Sequence, residues 1–176
     1  VYLNGEKLMS GEFTDTMSAS RVDSGHDDGG SYSVAFVRVY DNAASAEEVA
    51  GLYAARPTPA VPTPAPTEAP TPEPTPTLQE SLKFDADYTK GSHADQTGNF
   101  NFGRSASDFP ITETAGIMST TTNSGVGSLK YSGSNIALGG SATYETYFYS
   151  EDSVGCHEFV KFGGAMLEFD QETGFG

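Results

Sequence analysis

Nine of the ten prolines fall between Pro57 and Pro76, with threonines beside most of them. Each proline fixes φ and removes a backbone donor, so this stretch is expected to form neither a helix nor a central strand. It reads as extended polyproline II, and at about 3.1 Å per residue some 20 residues span roughly 60 Å. It divides the chain into a segment of about 55 residues and one of about 99, each with room for only a modest core. The expected organisation is residues 1–55, a Pro/Thr-rich linker at 56–78, and residues 79–176. Threonine-rich proline tracts also carry O-glycans, which makes the linker threonines expected acceptors. No Asn-x-Ser/Thr sequon occurs.

Before the linker, Val1-Tyr2-Leu3, then Asn4-Gly5, then Glu6-Lys7-Leu8 reads as a hairpin, because Asn-Gly supplies the two positive φ values of a type I′ turn. Residues 10–31 are rich in Gly, Ser and Asp and read as a loop. Tyr32 to Tyr40 is β-branched and aromatic, hence a strand. Ser45-Ala46-Glu47-Glu48 has the form of a capping box, with Val49, Leu52 and Tyr53 following on one helical face and Arg56-Pro57 as the stop. After the linker, strands are expected at Leu82–Tyr88, Ile117–Thr122, Ser128–Tyr131, Asn135–Leu138, Ala142–Ser150, Glu158–Phe162 and Ala165–Asp170, with Thr89–Ser107 as loop. Many short strands at regular spacing point to an all-β sandwich or barrel.

The net charge is −15, from 9 basic and 24 acidic residues. Such a surface repels nucleic acid and anionic lipid, so neither is an expected partner. No run of about 20 apolar residues is present to insert into a membrane. Loop aspartates supply the oxygen ligands that Ca²⁺ requires, and Asp23, Asp27 and Asp28 are the candidate metal ligands. They lack EF-hand spacing, and the competing reading is a solvated acidic loop. Cys156 is the single cysteine, so no internal disulfide can form. It reads as a small buried residue, with pairing outside this chain or thiol reactivity as alternatives.

The run Ala35-Phe36-Val37-Arg38-Val39-Tyr40-Asp41-Asn42-Ala43-Ala44-Ser45, continued by Glu48-Val49-Ala50-Gly51-Leu52-Tyr53, resembles the closing strand and helix of laminin G-like, concanavalin A-like jelly-roll domains. Val1-Tyr2-Leu3-Asn4-Gly5 is similar to that family's earlier hairpin. Two departures are Tyr32-Ser33-Val34, where the family has Gly-x-Ile-Asp, and Ala44 in place of Leu. Leu82–Tyr88, Ser128–Ser134 and Thr143–Tyr149 are similar, in order, to the opening part of the same domain type. The resemblance thus implies an all-β, antiparallel jelly-roll sandwich, present as the end of one copy and the beginning of another, with one short helix before the linker. The two parts are complementary in principle and would pair as a permuted sandwich if the linker allows it.

The resemblance further implies a secreted, non-catalytic recognition or adhesion module that binds a glycan or an extracellular glycoprotein, often with Ca²⁺ at a loop rim. Two alternatives stand beside it. One is a structural wall or matrix component. The other is a glycoside hydrolase, since Glu168-Phe169-Asp170-Gln171-Glu172 has the E-x-D-x-E form of jelly-roll laminarinases and lichenases. There Glu168 would be the nucleophile, Glu172 the acid/base and Asp170 the residue that tunes them. Retention needs the two carboxyl groups about 5–5.5 Å apart. Such clefts are lined with tryptophan, and this chain has none. An acidic surface strand is the competing reading.

Overall fold

The computed structural model describes residues 2–3, 5–7, 18–24, 31–56, 76–104, 111, 118–121, 129–150, 156–162, 165–170 and 174–175. Most of them lie in antiparallel β-strands, with few helices. The Asn-Gly hairpin forms as its sequence dictates: β1 (Tyr2–Leu3) and β2 (Glu6–Lys7) pair with Tyr2 opposite Lys7, and Gly5 takes a φ of 81°. A Cβ at Gly5 would also lie 2.9 Å from Cδ1 of Tyr53, so glycine is required there both for φ and for space.

Helix α1 (Ala46–Ala54) begins at the expected capping box. The Ser45 hydroxyl accepts from the Glu48 amide at 3.2 Å, and the Glu48 carboxylate accepts from the Ser45 amide at 2.7 Å. Two orphan donors of the first turn are satisfied reciprocally.

Two larger sheets carry the fold. One has six strands in the order β12 (Gly174–Phe175), β11 (Ala165–Asp170), β10 (Cys156–Phe162), β3 (Ser18–Ser24), β8 (Leu129–Ala137) and β6 (Phe100–Phe102). The other is built around β4 (Ser31–Tyr40). Along one edge of β4 run β5 (Leu82–Asp87) and then β7 (Met118–Thr121); along the other runs β9 (Thr143–Ser150). Both sheets feed one core, with Val34, Val37, Val39, Phe84 and Ala86 from the second sheet meeting Val22, Phe100, Leu129, Tyr131 and Phe162 from the first. The aromatic rings pack edge to face, Phe84 against Tyr131 at 4.9 Å and Phe100 against Phe162 at 5.9 Å between centroids. A register irregularity between Val34 and Phe36 places Val34 and Val37 in the same core although they are an odd number of positions apart.

The structure corrects the sequence reading in four places. Ser18–Ser24, expected in a loop, is strand β3, with hydrogen-bonded neighbours on both edges and Ala19 and Val22 buried. Its polar composition hides a strand that its neighbours impose. Phe100–Phe102 is strand β6 rather than loop, held by pairing with β8. The two short strands expected around Ser132-Gly133-Ser134 are one continuous β8, because Gly133 is not a turn but a point of close approach: a Cβ there would run into the carbonyl oxygen of Asn99, the residue that leads into β6. Finally, Pro76–Glu80 forms a short helix α2 across the end of the expected linker, with Leu78 buried. Proline is tolerated at a first helical position, where its missing donor has no intrahelical role. Residues 57–75 of the linker lie outside the described residues.

Strands from both sides of the proline-rich stretch share both large sheets. Residues 41–44, just before α1, are bonded to the later segment as well. The Asp41 amide donates to the Ser81 carbonyl at 2.8 Å, and the Ala44 amide donates to the Thr143 hydroxyl at 2.7 Å.

Candidate functional site

The face of the second sheet that turns away from the core carries a cluster of charge. Alternation along β4 sends Val37 and Val39 inward and leaves Phe36, Arg38 and Tyr40 on the opposite face. The register then sets Arg38 between Asp85 of β5 and Glu145 of β9, and Phe36 between Asp87 and Tyr147. Arg38 Nε donates to Asp85 Oδ1 at 3.0 Å, its Nη2 stands 3.6 Å from Asp87 Oδ2, and its Nη1 donates to Glu145 Oε2 at 3.5 Å. The same Glu145 oxygen accepts from the Tyr40 hydroxyl at 2.8 Å. The Arg38 guanidinium carbon lies 4.2 Å from the centre of the Phe36 ring, which stacks at 6.2 Å on Tyr147.

Helix α1 roofs this face, and a recess of about 210 Å³ remains between them, lined by Phe36, Arg38, Leu52, Arg56, Asp87 and Glu145 among others. Arg56 is held at its rim, its guanidinium 3.7 Å from the Tyr53 ring and donating to the Tyr53 carbonyl at 2.6 Å.

Burial governs the protonation of the cluster. It pushes the Glu145 carboxyl above its ordinary value, against the pull of Arg38 and the Tyr40 hydrogen bond. It pushes the Tyr40 hydroxyl up as well, and the neighbouring Glu145 charge adds to the effect. For Arg38 burial works against the charge, but the Glu145 and Asp85 carboxylates outweigh it and keep the guanidinium cationic. Tyr40 thus keeps its proton, and Glu145 is held by two donors. The recess contains hydrogen-bond donors, acceptors and an aromatic ring. Thr89 lines it as well, and its hydroxyl and amide both donate to Asp87 Oδ1.

No family model matches this chain. Neither a curated protein nor a solved structure is significantly similar to it.

The residues singled out from sequence lie elsewhere. Asp23 is buried on β3, with Arg21 Nε 2.8 Å from its carboxylate, while Asp27 and Asp28 lie outside the described residues. Among the described residues, no three His, Cys, Asp or Glu side chains come together as a metal-holding group. Glu168 and Asp170 fall on β11, opposite Glu158 and Cys156 of β10, and Glu172 lies outside the described residues. Arg38, Asp85, Asp87 and Glu145 were legible in sequence only as members of strands. The signal that marks them is a lone cation in the apolar run Tyr32–Tyr40, together with Asp85 and Asp87 at alternate positions of one strand and a single acid, Glu145, in another.

A second carboxylate has an architectural role. Asp95 is buried and accepts from the Asp85 amide at 2.9 Å, the Thr97 hydroxyl at 2.7 Å and the Phe100 amide at 3.0 Å. It ties the turn between β5 and β6 to the strand that presents Asp85 and Asp87. On the core side, the Tyr131 hydroxyl donates to the His93 carbonyl at 2.9 Å, which leaves its oxygen to accept from Tyr88 at 3.1 Å.

Proposed function

We propose that this chain is part of a non-catalytic, extracellular recognition module of the concanavalin A-like jelly-roll type, and that its ligand is a glycan or the glycan of a glycoprotein. The observation that supports this reading is the recess beneath α1. It sets the Arg38 and Arg56 donors and the Asp87 and Glu145 acceptors around the edge of an aromatic ring. Sugar hydroxyls both donate and accept, and the C–H faces of a sugar ring pack on aromatic carbon. At about 210 Å³ the recess is smaller than the roughly 300–1,000 Å³ of pockets for drug-sized ligands, which favours a single sugar unit at the end of a chain. The all-β antiparallel build with one core between two sheets is in keeping with the jelly-roll reading.

A glycan array probed with the full chain, with and without a chelator, tests the proposal. Binding to a defined terminal sugar is expected, and it should weaken at least tenfold in Arg56→Ala, a rim residue whose loss leaves the cross-strand ion pairs in place. Loss of binding on chelation would add a Ca²⁺ requirement. Silence on every glycan would favour the structural matrix role. Release of reducing sugar from β-glucan, abolished by Glu168→Gln, would move the reading to the hydrolase.

A further inference from the structure

Among the described residues, the two strands β3 and β4 that precede the proline-rich stretch are flanked only by strands that follow it. β3 lies between β10 and β8, and β4 lies between β9 on one edge and β5 and β7 on the other. Neither pairs with the other or with the β1–β2 hairpin. The later segment therefore offers two strand-wide slots, and the earlier segment supplies the strands that fill them. This is recognition by strand addition, in which the backbone supplies affinity and the side chains supply selectivity.

Selectivity in the β4 slot rests on charge. Its walls bring Asp85, Asp87 and Glu145 to one face, all from the later segment, with Lys90 3.4 Å from Asp87. The incoming strand carries Arg38, which reaches all three carboxylates, and its side chain is only 24% exposed. A register slip of one residue would carry Arg38 into the core and leave three carboxylates without it.

We infer that this slot also accepts β4 from a second copy of the chain, so that copies exchange strands and join through the same contacts that close a single copy. Every pairing and every ion pair is identical in the closed and exchanged forms. The difference between them lies in the linker and the protein concentration. Reciprocal exchange closes a dimer, and one-directional exchange propagates an open series. The inference is independent of the glycan reading.

A reciprocal charge reversal tests it. One full-length variant carries Arg38→Glu. The other carries Asp85→Lys together with Glu145→Lys. Each alone places like charges across β4, and a lowered melting temperature is expected. Refolded together at equal concentration, the wild-type strand of the second fits the wild-type slot of the first, and the reversed strand of the first fits the reversed slot of the second. The expected result is a particle of twice the monomer mass containing both variants, by light scattering and mass spectrometry, with the melting temperature restored. A mixture that behaves as the sum of its parts overturns the inference. Because both variants can fail to fold, the wild type is tested in parallel by refolding isotope-labelled and unlabelled chains together at rising concentration. Mixed dimers are expected, and monomer alone at every concentration overturns the inference.

Discussion

At the scale of single residues, Arg38 and Glu145 carry the most consequence. Buried ion pairs of this kind seldom add net stability, but they penalise every arrangement that leaves a charge alone. Glu145 gives this a measurable form. Its carboxyl is raised above 4.5 in the folded chain, chiefly by burial, while in the unfolded chain it returns to the ordinary value. Between those two pH values the folded state holds the proton that the unfolded state has released. The contribution of Glu145 to stability is therefore fully present below pH 4.5 and is lost as pH rises through the folded value. This is opposite in sign to the usual carboxylate. Glu145→Gln should therefore gain stability relative to the wild type as pH is raised from about 4 towards neutrality, by on the order of 1 kcal/mol for each unit of the raised interval. Urea unfolding of both proteins across that range checks it; a difference independent of pH would contradict it. From sequence, Glu145 is only one polar position in Thr143–Tyr149. Its role depends on a partner 107 positions away, and no local pattern encodes that.

At the scale of elements, legibility followed how local each cause is. The β1–β2 hairpin rests on one dipeptide and α1 on one capping box, both within four residues, and both formed as read. β4 was legible because its composition is strand-like along its whole length. β3 was not, because Ser18–Ser24 is strand only through what lies beside it. Gly133 was read with the wrong cause. In sequence, Ser-Gly-Ser signals a turn, but here the missing Cβ lets β6 cross close to β8. Gly133→Ala should thus act on β6. The new methyl group meets backbone, which cannot rotate aside, so a loss of about 1–3 kcal/mol is expected. Amide exchange is the readout: protection should fall at Phe100–Phe102 and at Gly103, whose amide donates to Lys130 at 2.8 Å, while the β4–β9 ladder stays protected. Uniform loss across both sheets would point to a different cause.

At the scale of the whole molecule, the sequence divided the chain at its prolines, and the division in composition is real. It does not mark a division between sheets, since both large sheets draw strands from either side. Proline tracts report where regular pairing is impossible, and they carry no information on what their flanks pair with. The consequence can be tested by placing a protease site within residues 60–70 and cutting the folded protein there. The two pieces should co-elute as a one-to-one complex, because the β4–β5, β4–β9, β3–β8 and β3–β10 ladders all join one piece to the other. Two separate peaks under native conditions would refute the interleaved arrangement.

The placement of β4 also bears on how a new chain acquires its shape. Arg38 is 47 positions from Asp85 and 107 from Glu145, so the ladders that secure β4 close only over long loops. Loop closure of that kind is slow relative to helix or hairpin formation. During synthesis β4 leaves the ribosome before either neighbour exists, and its second edge stays open until β9 has been made. For that interval the nascent protein presents an apolar strand with unsatisfied amides, the form most prone to stick to another of its kind. The order in which the strands are translated therefore sets a window of vulnerability that the finished fold no longer displays.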